Sequence, residues 1–264
     1  MSKYTLSVFT KPWKDIDASI LGEMVAGMGF DAVEFPLREG YQAEPATAET
    51  SLPLVAGALR SRGIKIASVA SSTDENIFAA CQNVGVPIIR IMLHRSAGVS
   101  YTQIESQWKK QLYDVQPLCE KYGVKVSVQQ HFGGGVFNSM ELYHVLEGLD
   151  HRLVGGIWDA AHSGLAGETP EKALDILSGD ILHMVNFKSA YFRCVSGPEA
   201  EQAVFRPYFT TAKHGATDWA AAVAYLKSHG YEGTVCMPAE YTDIEKTIPY
   251  LRQDVKYLKS LLDS

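Results

Sequence analysis

A carboxylate and an imidazole close one apolar run of this chain, and together they could do acid–base chemistry. The run begins at Leu153 and ends in Trp158 and Asp159, and His162 follows at the start of a glycine-bearing loop. Because Asp and His are costly to bury without partners, a strand that ends in them usually ends at a site. The alternative is that Asp159 only caps the following turn.

The same change from apolar to polar residues recurs wherever a strand is predicted to end. Besides Asp159 and His162, the residues at these ends are Glu34, His94, Gln129, His131, Asn186, Lys188 and Glu240. Side chains alternate between the two faces of a strand, so Gln129 and His131 share a face, as do Asn186 and Lys188. Any one of these residues has an ordinary structural explanation, and it is the set that indicates a site.

The elements that must position these residues alternate between strands and helices. Apolar runs of strand length lie at 5–10, 32–36, 64–70, 87–94, 124–131, 153–159, 181–188 and 233–240, and most are followed by helical periodicity. This order predicts an α/β fold, a single (β/α)8 barrel, whose active site lies at the carboxyl ends of the strands. An open doubly wound sheet is disfavoured because no Gly-x-Gly-x-x-Gly motif follows the first strand. We therefore expect no nucleotide cofactor.

We predict one domain over residues 1–264, with an extended loop at about 189–214. The loop is rich in aromatic residues and arginines, and Arg193 is its candidate for substrate binding. Such residues suit sugar stacking or a sugar-acid carboxylate, although packing against the barrel rim or another subunit is an equal alternative. Three glycines at 133–135 are interpreted as a turn. A phosphate cradle is the other reading, but the P-loop lysine is missing.

The composition, 46% hydrophobic and 20% charged over 264 residues, is typical of a globular protein. A net charge of -6 argues against nucleic-acid binding, and no apolar run reaches the ~20 residues of a membrane span. The four cysteines lack CxxC spacing, and the chain from Met1 lacks the apolar core of a signal peptide. We expect reduced thiols, no zinc cluster, a cytoplasmic location, a small-molecule substrate and a homo-oligomer.

Five stretches of the chain resemble the xylose-isomerase-like barrel family of sugar isomerases and epimerases, which includes ketose 3-epimerases and inosose dehydratases. They lie at 30–34, 126–131, 158–162, 185–188 and 217–233. The resemblance covers nearly the whole chain and implies a barrel that acts on sugars. It also implies a divalent metal (Mn, Co or Mg) held by Glu, Asp, His and Glu at the strand ends, with two glutamates moving a proton through an enediolate.

Only part of that ligand set is present here. The resemblance assigns Asp159 as a metal ligand, but Gln129 stands at the fifth-strand glutamate position and Asn186 at the seventh-strand histidine position. The eighth-strand glutamate position falls on Pro238, and Glu240 follows two residues later, where a bulge would bring it closer to the site. A hard dication prefers anionic oxygen ligands. A metal held by Asp159, Glu240, Gln129 and Asn186 would therefore be weakly bound or absent.

The leading hypothesis is a sugar isomerase- or epimerase-like enzyme, or a lyase, that enolises a keto-sugar or a related polyhydroxy carbonyl compound. The catalytic candidates are Asp159, His162, Lys188 and Glu240, with His131 as a further acid–base group. The substrate-binding candidates are Glu34, His94, Gln129, His131, Asn186 and Arg193. The alternative from another class is a non-catalytic carbohydrate-binding barrel or a degenerate partner subunit. A third hypothesis makes Lys188 a Schiff-base lysine, which requires a depressed pKa.

Overall fold

A computed structural model describes residues 3–264, and among these residues eight parallel strands close into a ring. The strands are β1 (Thr5–Phe9), β2 (Ala32–Pro36), β3 (Lys65–Ala70), β4 (Ile88–Ile91), β5 (Lys125–Gln129), β6 (Val154–Asp159), β7 (Leu182–Asn186) and β10 (Thr234–Met237). Closure is direct, because β1 pairs in parallel with β2 on one side and with β10 on the other. The predicted (β/α)8 barrel is confirmed. Met1 and Ser2, the first residues of the stretch expected to lack the apolar core of a signal peptide, lie outside the described residues.

Helices surround the ring, and each packs a buried apolar face toward the strands. They are α1 (Ala18–Gly27), α2 (Ala48–Arg60), α3 (Glu75–Val84), α4 (Tyr101–Tyr122), α5 (Ser139–Leu146), α6 (Ala160–Leu165), α7 (Pro170–Ile176), α8 (Trp219–Ser228) and α9 (Thr247–Asp263). Asn138 caps α5, since its Oδ1 accepts a hydrogen bond from the Glu141 N–H at 2.8 Å. The segment after Asp159 was expected to be a loop, but it forms α6. The Asp159 cap and two alanines favour the helix more than Gly164 disfavours it.

The strands alternate between two buried faces, as a barrel requires. Trp158 and Val185 belong to the main core, in which the outer faces of the strands meet the helices. Residues of the opposite strand face, such as Ile157 and Met184, point into the lumen. They form a separate apolar cluster of Phe9, Ala70, Ile88, Ile157, Met184 and Cys236. Side chains thus fill the lumen, and polar side chains collect at the carboxyl ends of the strands.

The segment predicted as an extended loop contains an antiparallel hairpin outside the ring. Its strands are β8 (Ser189–Cys194) and β9 (Phe205–Thr210), with Tyr191 opposite Tyr208. The prediction missed this hairpin because no Asn-Gly or Asp-Gly turn marks it and both strands are largely exposed, so hydrophobic alternation is weak. The hairpin starts directly after Lys188, and β9 brings Phe209 to the carboxyl ends of the barrel strands.

The cysteines within residues 3–264 are free thiols: Cys81, Cys119 and Cys236 are buried and Cys194 is exposed. Across the same range, each helix is too short or too polar to cross a membrane.

Asp254 of α9 is buried, and its titration is expected to make stability fall as pH rises. Its carboxylate accepts hydrogen bonds from the Ala212 N–H at 3.0 Å and the Tyr241 hydroxyl at 2.9 Å. Burial outweighs these bonds and raises the pKa of Asp254 to about 6. Because this pKa exceeds that of the unfolded chain, the contribution is fully present below about pH 4. It is lost as the pH rises through about 6.

Asp254→Asn removes this titration and keeps an oxygen acceptor. Relative to the parent protein, the variant should gain free energy of unfolding between pH 4 and pH 7, by at most about 3 kcal/mol. Urea unfolding of both proteins at a series of pH values measures the difference. A difference that stays constant with pH would contradict the assignment.

Candidate active site at the barrel mouth

The carboxyl ends of the strands bring most of the predicted site residues into one buried polar network. Glu34, Gln129, Asp159, Asn186 and Lys188 are each 5% exposed or less. Their side chains come from β2, β5, β6 and β7, with Lys188 just beyond β7. Such a concentration of buried polar groups is stable only when nearly every donor and acceptor has a partner.

Arg90 of β4, which the sequence analysis missed, joins one half of the network to the other. Its Nε donates to Glu34 Oε1 at 2.8 Å and its Nη1 donates to Gln129 Oε1 at 2.7 Å. Gln129 Nε2 in turn donates to Asp159 Oδ2 at 2.8 Å. An arginine offers only donors and a carboxylate only acceptors, so these partners fix the orientation of the Gln129 amide. The available signal was a charged residue inside an apolar strand.

Lys188 places a buried ammonium between two carboxylates. Its Nζ lies 3.1 Å from Glu240 Oε2 and 3.7 Å from Asp159 Oδ2, and 5.0 Å from the ring centre of Phe209. Burial acts to lower the pKa of Lys188, but the carboxylates of Asp159 and Glu240 outweigh it and raise that pKa. The lysine is therefore cationic at neutral pH. This state disfavours the Schiff-base hypothesis, which requires a neutral amine.

Glu240 reaches the mouth through a sharp backbone turn after β10. The strand ends at Met237, and Ala239 adopts a left-handed conformation with φ 53°, which is unfavourable for a residue with a Cβ. The Glu240 carboxylate then lies between two lysines, with Lys11 Nζ at 2.6 Å from Oε1. Burial acts to raise the pKa of Glu240, but Lys188 and Lys11 outweigh it, and the pKa is lowered. Glu240 is therefore a carboxylate at neutral pH.

Two histidines are in ring contact close to Lys188, with 4.2 Å between the ring centres of His131 and His162 and a tilt of 42° between the ring planes. His131 Nδ1 lies 2.8 Å from the carbonyl of Phe132, which can only accept, so Nδ1 carries the proton and Nε2 has the lone pair. His162 has the opposite tautomer, because its Nδ1 accepts from the Phe132 N–H at 3.1 Å. Burial, followed by the charge of Lys188, lowers the pKa of both histidines. Both imidazoles are neutral at pH 7.

His162 also carries a donor without a partner. Its Nε2 is buried and has no hydrogen bond within the part of the chain that the structure describes. In this tautomer Nε2 bears the hydrogen, so the group can donate to an oxygen that enters the site.

Two predicted substrate-binding residues lie outside the network. His94 is exposed and lines a groove beside the mouth. Arg193 is exposed on the hairpin, with its guanidinium 5.5 Å from the ring centre of Tyr208. Neither is in contact with Asp159 or Lys188, so a role in binding stays a prediction for both.

The network opens into a small cavity of about 40 Å³, and Glu34, Arg90, Gln129, His131 and Glu240 contribute to its wall. A groove of about 530 Å³ lies alongside, and Arg38, Arg90 and Met92 line both spaces. The groove is large enough for a monosaccharide-sized ligand. A further pocket, near Arg60 and Lys65, lies at the opposite end of the barrel, where such folds do not carry their chemistry.

The residues present do not fit the divalent metal implied by the family resemblance. Gln129 and Asn186 both turn their NH2 groups, rather than their oxygens, toward Asp159 Oδ2, at 2.8 and 3.3 Å. Lys188 brings a positive charge to the same oxygen, and Glu240 is already paired with two lysines. Across residues 3–264, no three His, Cys, Asp or Glu side chains are grouped to hold an ion. The carboxylates at this mouth, Asp159 and Glu240, are thus neutralised by lysine side chains of the protein itself.

Comparisons with known proteins agree with the fold. A crystal structure of D-psicose 3-epimerase in the presence of D-fructose superposes with a TM-score of 0.72 at 14% identity, covering 100% of both chains. The IolI protein with a binding zinc atom gives a TM-score of 0.72 at 16% identity, covering 99% of this chain and 96% of that one. At these identities the likeness shows the architecture alone.

Comparison of sequences gives relatives of higher identity and a family. Inosose dehydratase of Bacillus licheniformis is 26% identical over 163 residues, which is 58% of this chain and 54% of that protein. The chain therefore spans about half the length of the curated relatives it matches. The sequence model described as xylose isomerase-like TIM barrel matches residues 23–261. Because that match covers most of the chain and the barrel has the same architecture, the protein belongs to the xylose isomerase-like TIM barrel family.

Proposed function

We propose that the protein is an enzyme that enolises a polyhydroxy ketone at the barrel mouth, with Lys188 as the electrophile. The observation that carries the proposal is the buried ammonium of Lys188, held by Asp159 and Glu240 beside the neutral imidazole of His131. The names of the relatives support the substrate class, since an inosose and D-psicose are both polyhydroxy carbonyl compounds. The reaction could be an epimerisation, an isomerisation or a dehydration, because all three begin with the same proton abstraction.

His131 acts as the base in this proposal. Its Nε2 lone pair takes the proton from the carbon next to the carbonyl, and the electrons of the broken C–H bond form a C=C bond. The carbonyl oxygen becomes an enolate oxyanion, which the Lys188 ammonium stabilises as its negative charge develops. In an isomerisation, the imidazolium gives its proton to the former carbonyl carbon, while the hydroxyl on the deprotonated carbon passes its proton to the enolate oxygen and becomes the new carbonyl. In an epimerisation, the deprotonated carbon takes a solvent proton on its opposite face, and His131 releases its own proton to solvent. In a dehydration, the imidazolium protonates the hydroxyl on the carbon beyond the deprotonated one, and the enolate electrons re-form the carbonyl and a new C=C bond as water leaves.

The remaining polar residues hold these two groups in place. Asp159 and Glu240 keep Lys188 charged and fixed, and Glu34 orients Arg90 through bonds of 2.8 and 3.4 Å. The Gln129 amide does not titrate near neutral pH. It links Arg90 to Asp159 by accepting a hydrogen bond from the first and donating one to the second. The unpartnered Nε2–H of His162 offers a donor to a substrate hydroxyl.

Proton exchange at carbon tests the proposal directly. Ketohexoses and an inosose are incubated with the protein in deuterated water, and label on the carbon next to the carbonyl is followed by NMR. His131→Asn should slow exchange by about 10²–10⁴-fold. The exposed His229 provides a matched control, and His229→Asn should leave the rate unchanged. The acid limb of the rate should lie below pH 6.5, because burial and Lys188 lower the pKa of His131, and His131→Asn should lack that limb.

One observation favours a second candidate, a carbohydrate-binding barrel without catalysis. Glu34, Asp159 and Glu240 are all paired with cations, which disfavours each of them as a base. Saturable sugar binding by calorimetry, without exchange on any ketone tested, would support that candidate and overturn the enzymatic one.

A further inference from the structure

Arg38 places a guanidinium at the mouth, and among the described residues it has no hydrogen-bond acceptor. It follows β2, is partly exposed, and lies over the ring of Phe9 at 5.7 Å from its centre. Arg90 lies over the same ring at 4.6 Å. Arg90 has two side-chain partners, whereas the Arg38 side chain forms no hydrogen bond or ion pair anywhere in the described residues.

The other cations in the cavity wall, Lys11 and Arg90, are each paired with a carboxylate, and within residues 3–264 Arg38 is not. Lys11 is paired with Glu240 at 2.6 Å, and Arg90 with Glu34 at 2.8 Å. Glu39 lies next to Arg38 in the groove, but it is exposed and forms no ion pair with it. Burial, and then the charge of Arg90, lower the pKa of Arg38, although the carboxylates of Glu34 and Glu240 act in the opposite direction. An anionic ligand would compensate the charge of Arg38.

The place of Arg38 suits recognition of a ligand that extends out of the mouth. Its side chain belongs to the wall of the cavity and to the wall of the groove beside it. The cation–π contact with Phe9 holds Arg38 at the mouth, and a guanidinium presents paired N–H donors. Two parallel N–H donors match the two oxygens of a carboxylate or of a phosphate.

We propose that Arg38 binds an anionic oxygen group, a carboxylate or a phosphate, carried by the polyhydroxy substrate. The substrate is thus a sugar acid or a sugar phosphate, with its carbonyl at the mouth and its anionic group in the groove. The position of the carbonyl rests on the proposed function, whereas the preference for an anion does not require turnover.

Calorimetry with matched ligand pairs tests the preference. D-Gluconate is compared with D-glucitol, and D-fructose 6-phosphate with D-fructose. One of the two anions should bind at least tenfold more tightly than its neutral counterpart, and the pair that shows this identifies carboxylate or phosphate. Arg38→Gln should weaken binding of that anion about 10–100-fold and leave the neutral ligand unaffected. Arg38→Lys should restore part of the preference.

Two arginine controls separate this proposal from others. Arg152→Gln, in an exposed ion pair with Asp150, should leave the preference intact. A preference that persists in Arg38→Gln and disappears in Arg193→Gln would overturn the proposal in favour of the hairpin. Equal binding of charged and neutral ligands by the parent protein would also overturn it. Anion preference without proton exchange on any ketone would uphold the Arg38 site and refute the proposed catalysis alone.

Discussion

Lys188→Met is expected to lower kcat/KM for ketone enolisation by about 10²–10³-fold. Methionine is of similar length and has no charge, so the oxyanion loses its nearest cation while the packing against Phe209 is largely kept. Lys188→Arg retains the positive charge and should recover a measurable part of the rate. Initial rates of deuterium exchange measure both variants, and circular dichroism with thermal melts checks that each is folded.

The arginine variant also decides between electrostatic and covalent roles for Lys188. A guanidinium cannot form an imine with a ketone, so complete loss of exchange in a folded Lys188→Arg protein would favour covalent chemistry. Borohydride trapping of a substrate adduct on the parent protein would have the same meaning. Parent-like exchange in Lys188→Met would contradict any electrophilic role.

Arg90→Met should lower the free energy of unfolding by about 3–5 kcal/mol, because it leaves the buried carboxylate of Glu34 without its cation. Glu34 is 0% exposed, and among the described residues its carboxylate also accepts from the Ser68 hydroxyl at 3.3 Å and the Cys236 thiol at 3.9 Å. Neutral donors of this kind do not offset the desolvation of a charge. Urea unfolding at constant pH measures the loss.

A double variant tests the cause. Glu34→Gln combined with Arg90→Met removes both charges, so it should recover much of the stability lost in the single variant. Arg152→Met breaks an exposed ion pair with Asp150 and should have a far smaller effect. If Arg90→Met cost no more than Arg152→Met, the Glu34–Arg90 pair would not be a significant source of stability.

The barrel could be predicted because its signals are local. The segment 153–159 is a short apolar run with a polar end, and Gly29, Gly63 and Gly123 mark helix ends through left-handed backbone. The hairpin and α6 were missed for the opposite reason. Their residues form regular structure through pairing across the hairpin and through the Asp159 cap, which composition alone does not reveal.

Only the strand-end residues of the site could be predicted, because they too are marked by local sequence. Strand ends identify which residues face the mouth, and this rule found Asp159, Lys188 and Glu240. It does not find pairs formed across the lumen, such as Arg90 with Glu34, which are 56 residues apart in the chain. For Asp159, a helix cap and a site residue were treated as alternatives. The structure shows both, because Oδ1 caps α6 and Oδ2 accepts a hydrogen bond from Gln129.

The exposure of Cys194 makes the hairpin accessible to single-site fluorescent labelling of the unmodified chain. Burial raises the pKa of the Cys81 thiol to about 12 and that of Cys119 to about 11, and also raises that of Cys236, so these sulfurs should react slowly with a maleimide. A dye at Cys194 would sit on the strand that leads directly from Lys188. Its emission would then report, in real time and without mutation, whether β8 and β9 move when a sugar enters.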